Sequence, residues 1–253
     1  MQTPKTSLIQ QIPLKNKGNI ELFIKREDLI HPFISGNKFR KLKYNIIEAK
    51  CANQKTILTF GGAYSNHIAA TAYACKINGL KSIGVIRGEE LRPKINENPT
   101  LSFAQSCGMH FIFVTRTDYR KKSEARFISL LKKQVGDFYL IPEGGTNAQA
   151  VKGCEEIITK DDARFDFICT CVGTGGTISG LINTALLKQK ILGFPALKGD
   201  FISQDIRKFA TQSNWELCSD YHFGGYAKIK PELISFINDF NADYGIRLDP
   251  IYT

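Results

Sequence analysis

Thr56-Ile57-Leu58-Thr59-Phe60-Gly61-Gly62-Ala63-Tyr64-Ser65-Asn66-His67 reads as a short apolar strand that stops on two glycines and opens a helix. The small residues Ala69, Ala70, Ala72 and Ala74 carry that helix on to Asn78-Gly79. The same grammar returns twice. Phe138-Tyr139-Leu140-Ile141 runs into Pro142-Glu143-Gly144-Gly145-Thr146-Asn147, and residues 165–172 run into Gly173-Thr174-Gly175-Gly176-Thr177 and a helix through Leu187. Further strand text lies at 82–87, 110–114 and 191–194. Strands alternating with helices through short links describe an α/β protein with mostly parallel sheets. In such sheets ligands sit beyond the carboxyl ends of the strands, where all three glycine turns fall.

Upstream, Ser35-Gly36-Asn37-Lys38-Phe39-Arg40-Lys41-Leu42-Lys43 opens another helix, with Asn37 read as its cap and Phe39, Leu42, Ile46 and Ile47 spaced by threes and fours. Lys38 then falls in the first turn, where the dipole does not favour a cation and four amides are unpaired. Five cations from Lys38 to Lys50 have a plain reading as a solvated basic helix. A lysine there that sheds its proton is also able to form an imine with a carbonyl cofactor or substrate. Elsewhere, residues 1–19 read as an irregular lead with an extended Ile12-Pro13-Leu14, and 20–25 as a strand. Residues 119–135 read as one basic helix, and 200–209 and 232–240 as two more.

Composition narrows the classes. The 253 residues, 43% hydrophobic and 23% charged, suit an ordinary soluble protein of one or two domains. No run approaches about eighteen apolar residues, so no membrane span is expected. Met1-Gln2-Thr3-Pro4-Lys5 is not followed by an apolar segment of the secretory kind. The net charge of +10 is spread over most of the expected helices. It therefore attracts anions without forming a specific nucleic-acid surface. Seven cysteines, an odd number, read as free thiols in a reducing, cytoplasmic compartment. Cys169 and Cys171 share one strand face and read as core or near-core thiols. His31, His110 and His222 lack partners at ligand spacing, so no metal is expected.

Gly173-Thr174-Gly175-Gly176-Thr177 is the strongest local signal. Its glycines allow close backbone approach, its amides and hydroxyls donate, and the following helix adds its dipole. The Walker pattern fails because Thr177 is followed by Ile178-Ser179. The dinucleotide fingerprint fails because Ile178 stands where its third glycine belongs. A single phosphomonoester fits best. A phosphate cradle, an imine-forming Lys38, and Ser65 and Asn66 at a glycine-framed helix start together suit pyridoxal phosphate.

Six motifs in order carry a resemblance over residues 20–253: Lys25-Arg26-Glu27-Asp28, residues 35–41, residues 61–67, residues 173–177, Gly224-Gly225-Tyr226 and Asp249-Pro250-Ile251-Tyr252-Thr253. On them the chain resembles the 1-aminocyclopropane-1-carboxylate deaminase and D-cysteine desulfhydrase family, pyridoxal-phosphate enzymes of the tryptophan-synthase-β fold type. That resemblance implies two open, mostly parallel twisted sheets flanked by helices, with the cofactor in the interdomain cleft. It implies a larger discontinuous domain of residues 1–48 and 160–253 and a smaller one of 49–159. It implies Lys38 as the Schiff-base lysine and proton shuttle, Asn66 on the pyridoxal 3′ oxygen, and Ser65 at the substrate carboxylate. Residues 173–177 would hold the phosphate, Tyr226 would face the substrate and Tyr252 would stack on the pyridine ring. A homodimer is also implied.

The resemblance further implies a glutamate after the stacking tyrosine in the deaminases, where this chain has Thr253 as the desulfhydrase-like members do. A carboxylate there keeps the pyridine nitrogen protonated, whereas a hydroxyl only hydrogen-bonds. The weaker electron sink suits loss of a β-thiolate from a small D-amino acid better than opening a cyclopropane. The lead expectation is therefore D-cysteine desulfhydration, ahead of 1-aminocyclopropane-1-carboxylate deamination and, more distantly, racemisation. Family members also continue past this point with a glycine-lysine pair and a terminal helix. A truncated, catalytically inactive homologue is thus the rival of another class.

Overall fold

The structure is a computed structural model that describes residues 7–14, 18–34 and 36–252. The strands are β1 (Ile9–Ile12), β2 (Leu22–Lys25), β3 (Thr56–Gly61), β4 (Lys81–Arg87), β5 (Met109–Val114), β6 (Tyr139–Ile141), β7 (Phe167–Val172), β8 (Lys190–Pro195) and β9 (Trp215–Leu217). The helices are α1 (Asn37–Cys51), α2 (Asn66–Ile77), α3 (Pro99–Ser106), α4 (Arg116–Arg120), α5 (Ala125–Val135), α6 (Ala148–Cys154), α7 (Gly176–Thr184), α8 (Phe201–Arg207) and α9 (Pro231–Tyr244). Among the described residues they form two compact units, Glu27–Gly153 and Ser7–Arg26 with Cys154–Thr253.

The first unit is built on a parallel sheet in the order β5-β4-β3-β6, with Leu58 opposite Ile83 and Leu140. Strands buried on both faces need apolar residues without alternation, and Ile57, Leu58 and Phe60 supply them. Phe39, Leu42, Ile46 and Ala49 line one face of α1 and pack with Ala70, Ala74 and Cys75 of α2 against Ile57 and Ile141. Leu58, Phe60 and Val85 pack with Tyr119, Leu131 and Phe138 in a second core. Each such fully buried Leu or Ile contributes about 1.5–3 kcal/mol.

Helix α6 comes so close to α1 that a Cβ on Gly153 would lie 2.0 Å from the Arg40 carbonyl oxygen. Backbone cannot swing aside as a side chain would. Gly153→Ala is therefore expected to cost about 1–3 kcal/mol by overpacking. An unchanged denaturant midpoint would show that the two helices are not in this contact.

The second unit has a parallel sheet in the order β7-β8-β9. Val172 and Ile191 pack under Ile178, Leu181 and Ile182 of α7 and Ile202 and Ile206 of α8. The antiparallel ribbon β1-β2 joins this unit through the Lys25–Asp162 ion pair and through the rings of Phe23 and Phe165, 5.2 Å apart.

Several expectations change. The lead contains a strand, β1, because it pairs with β2. The basic segment 119–135 breaks into α4 and α5 across a turn at 121–123. Strand β9 is added, and α7 ends at 184, short of its expected limit at Leu187. Asn37 is the first helical residue and Gly36, at φ 60°, takes the cap position. Cys169 and Cys171 are exposed rather than in the core, because β7 alternates between half-buried and open positions before it ends on the buried Val172. Ser35, Thr253 and the N-terminal Met1–Lys5 lie outside the described residues. No helix among those described is long and apolar enough to cross a membrane, and no group of three or more His, Cys, Asp or Glu among them is placed to hold a metal.

Candidate active site

In the first unit Lys38 stands in the opening turn of α1, half-buried, just after the left-handed Gly36. A positive φ there is cheap only for glycine, so the turn that aims Lys38 depends on it. Two anchors fix the helix start. Arg40, buried, makes a paired contact to Glu27 through Nε at 2.8 Å and a second nitrogen at 3.0 Å. Lys41 donates from Nζ to the Gly144 carbonyl at 3.0 Å and to Thr146 Oγ1 at 3.1 Å. The second glycine turn thus serves to clamp the helix that carries Lys38. Glu143 of that turn accepts from the Tyr119 hydroxyl at 2.7 Å and pairs with Lys122.

Ser65 caps α2, its Oγ accepting the Ile68 amide at 3.4 Å. The hydroxyl proton is not used by that bond. Asn66 is the first residue of α2 and is exposed, and His67 follows it into the core at 1% exposure. His67 is therefore a core residue. Burial first, then the Lys38 and Lys41 ammoniums, hold its imidazole well below the usual range.

The sign of the pH effect follows. The unfolded chain accepts a proton at His67 near the ordinary 6.5, while the folded chain resists it. Native stability is accordingly full above about pH 6.5 and falls as the pH drops below that value. His67→Gln is expected to flatten this acid limb, as read from denaturation midpoints between neutral and mildly acid pH. An acid limb of the same slope in the variant would assign it to another group.

In the second unit β7 delivers the chain to Gly173, and α7 starts after Gly175, which takes φ 80° at the cap. Thr177 is buried in the first turn. A Cβ on Gly173 would lie 3.1 Å from Tyr252 Cε1, so the aromatic ring rests directly on the turn. Asp249 holds that ring in place by accepting the Ile251 and Tyr252 amides at 2.8 and 3.1 Å on one carboxylate oxygen. Tyr226 faces Tyr252 with ring centroids 6.2 Å apart at 65°. A groove of about 570 Å³ opens beside them, lined by Cys169, Cys171, Phe194, Tyr221, Phe236 and Tyr252 among others.

The expected site residues thus gather within each unit: Lys38, Ser65 and Asn66 on helix starts of the first, and residues 173–177, Tyr226 and Tyr252 in the second. The second set fits a phosphorylated pyridine. Backbone amides and threonine hydroxyls at a helix start suit the phosphate, and an aromatic ring against that turn suits the ring. Sequence reasoning missed the roles of Arg40 and Lys41 in holding the helix start that carries Lys38. The repeat of Lys38 and Lys41 at a spacing of three, on the apolar side of α1, was the available signal.

The family described as pyridoxal-phosphate dependent enzyme matches residues 2–246. A putative 1-aminocyclopropane-1-carboxylate deaminase of Thermotoga maritima is 30% identical over 263 residues, covering 95% of this chain and 83% of the relative. The bifunctional D-cysteine desulfhydrase/1-aminocyclopropane-1-carboxylate deaminase of Arabidopsis thaliana is 30% identical over 92% of this chain and 65% of its own. Among solved structures, an ACC deaminase homologue superposes with a TM-score of 0.84 at 27% identity, covering 99% of this chain and 82% of that one.

Proposed function

Because this chain belongs to the pyridoxal-phosphate dependent enzyme family, with relatives named for 1-aminocyclopropane-1-carboxylate deaminase and D-cysteine desulfhydrase, we propose that it converts D-cysteine and water to pyruvate, sulfide and ammonia. The observation that carries this reading is the aromatic turn: Tyr252 rests on Gly173, and the residue after it in sequence is threonine rather than a carboxylate. By the resemblance, a hydroxyl at that sequence position would leave the pyridine nitrogen without a counter-charge, which favours a substrate with its own good leaving group.

Residues 173–177 would bind the phosphate through amides and hydroxyls, and Asn66 would donate to the cofactor. Ser65, with its hydroxyl proton unspent, binds the substrate carboxylate. When bound, pyridoxal phosphate supplies the carbonyl that joins amines and the ring that takes up an electron pair. Lys38 would hold the cofactor through its amine and would take the proton from the substrate α-carbon. In the overall conversion the Cβ–S bond would break, with the thiolate leaving with its electron pair. Tyr226, beside Tyr252, places a phenol against the substrate. The reading also includes a cytoplasmic homodimer.

The test is product analysis of the loaded protein. Sulfide and pyruvate from D-cysteine are expected. Ammonia and 2-oxobutanoate from 1-aminocyclopropane-1-carboxylate, with no sulfide from D-cysteine, would establish the deaminase instead. Equal turnover of L-cysteine would remove the stereochemical part.

A further inference from the structure

Among the described residues three that are not glycine take a positive φ: Asn53, Phe223 and Ala227. Asn53 follows α1, and asparagine tolerates that conformation. Phenylalanine and alanine do not, and these two lie in one short segment of the second unit with Tyr226 between them. Gly224 and Gly225, at φ 104° and 127°, fill the same stretch. Four of the five residues 223–227 thus take a positive φ, and Tyr226 alone does not.

Burial does not impose this. Phe223 and Tyr226 are 37% and 42% exposed, Gly224 and Ala227 are exposed as well, and only Gly225 is buried. A solvent-facing chain that stays strained is held by specific bonds. His222, half-buried, accepts the Gly224 amide on Nδ1 at 2.9 Å and the Gly225 amide on its carbonyl at 2.9 Å. Gly225 in turn accepts the Lys228 amide at 3.0 Å. One residue therefore ties down both glycines ahead of Tyr226, the first by its side chain and the second by its backbone. The tyrosine that follows stands with its ring 6.2 Å from that of Tyr252, which Asp249 fixes against Gly173.

We propose that His222 is a positioning residue for Tyr226, its side chain locking the strained segment that keeps the Tyr226 ring against Tyr252. This rests on the reading of Tyr226 as the phenol that faces the substrate. A relaxed, exposed loop would present that phenol in many poses, and a misplacement of about 1 Å lowers a rate by up to about 10²-fold. Strain in an exposed turn is retained where one pose is required. Asparagine is the conservative substitute, because its side-chain oxygen bonds the amide two residues on, as Nδ1 of His222 does.

The experiment compares the full chain with its His222→Asn and His222→Ala variants, first free of cofactor. His222→Ala is expected to speed hydrogen exchange at the Gly224 amide on the order of 10-fold or more and to remove the nuclear Overhauser contacts between the Tyr226 and Tyr252 rings. His222→Asn should retain both. Ring contacts that persist in His222→Ala, or an asparagine variant no better than the alanine one, overturn the proposal. Ala227→Gly tests the strain separately. Its thermal midpoint should not fall below that of the wild type, because the strain removed offsets the freedom added to the unfolded chain. A midpoint several degrees lower overturns the strained reading of the segment. In the loaded protein, His222→Ala should lower kcat for D-cysteine about 10-fold with its thermal midpoint nearly unchanged, and His222→Asn should recover most of the loss. Equal kcat in the two variants also overturns the proposal. The ring contacts need no cofactor. Failure of the wild type to bind pyridoxal phosphate would therefore refute the proposed function, while the spectra still decide whether His222 holds Tyr226.

Discussion

Lys38→Ala is expected to abolish the visible absorbance band that forms when the protein takes up pyridoxal phosphate, and to lower D-cysteine turnover on the order of 10³-fold or more. Two roles are lost together, the covalent hold on the cofactor and the group that takes the α-proton. Alanine suits a helix first turn and Lys38 is only half-buried, so the fold should be retained. The thermal midpoint is the control. A variant that keeps the band would place the anchor at another lysine. Lys41, one turn on, is the obvious rival, but Gly144 and Thr146 already hold its ammonium.

Arg40→Met should be the most destabilising change near this helix start, by about 3–5 kcal/mol. The side chains of Arg40 and Glu27 are 8% and 14% exposed, so removing the guanidinium strands a carboxylate away from water. Adding Glu27→Gln removes that stranded charge, and the double variant should recover part of the loss in a denaturation experiment. Strictly additive losses would show that the two groups do not work as a pair. Because Glu27 also receives the Gly36 amide on its carbonyl at 3.2 Å, weaker cofactor affinity should accompany the lost stability.

What the sequence made legible was whatever has a local cause. The parallel strands were readable as unbroken apolar runs, and the three glycine turns because helix starts after strands need such residues. Lys38, Ser65, residues 173–177 and Tyr252 were readable from those turns and from resemblance. The failures are long-range. Ile9–Ile12 contains Gln10-Gln11 and becomes a strand only by pairing with β2. Lys121-Lys122-Ser123 carries no glycine or proline to announce a helix break. Cys169 and Cys171 sit in text as apolar as a buried strand, yet their face opens on the groove. His67 was visible as a residue, but its buried partner Thr59 is itself tied to a carbonyl 74 positions beyond the histidine, at Ile141.

The ribbon β1-β2 has a consequence in time. Its fastenings, Asp162 and Phe165, lie 137 or more residues downstream of Lys25 and Phe23. At a ribosomal pace of roughly 5–20 residues per second, the ribbon emerges about 7–30 s before the chain it will dock on. The sheet of the first unit, whose strands all lie between Thr56 and Ile141, is complete within that wait. Synthesis thus imposes an order in which the unit bearing Lys38 matures first, while two short amphipathic strands remain available to chaperones or to a neighbouring nascent chain.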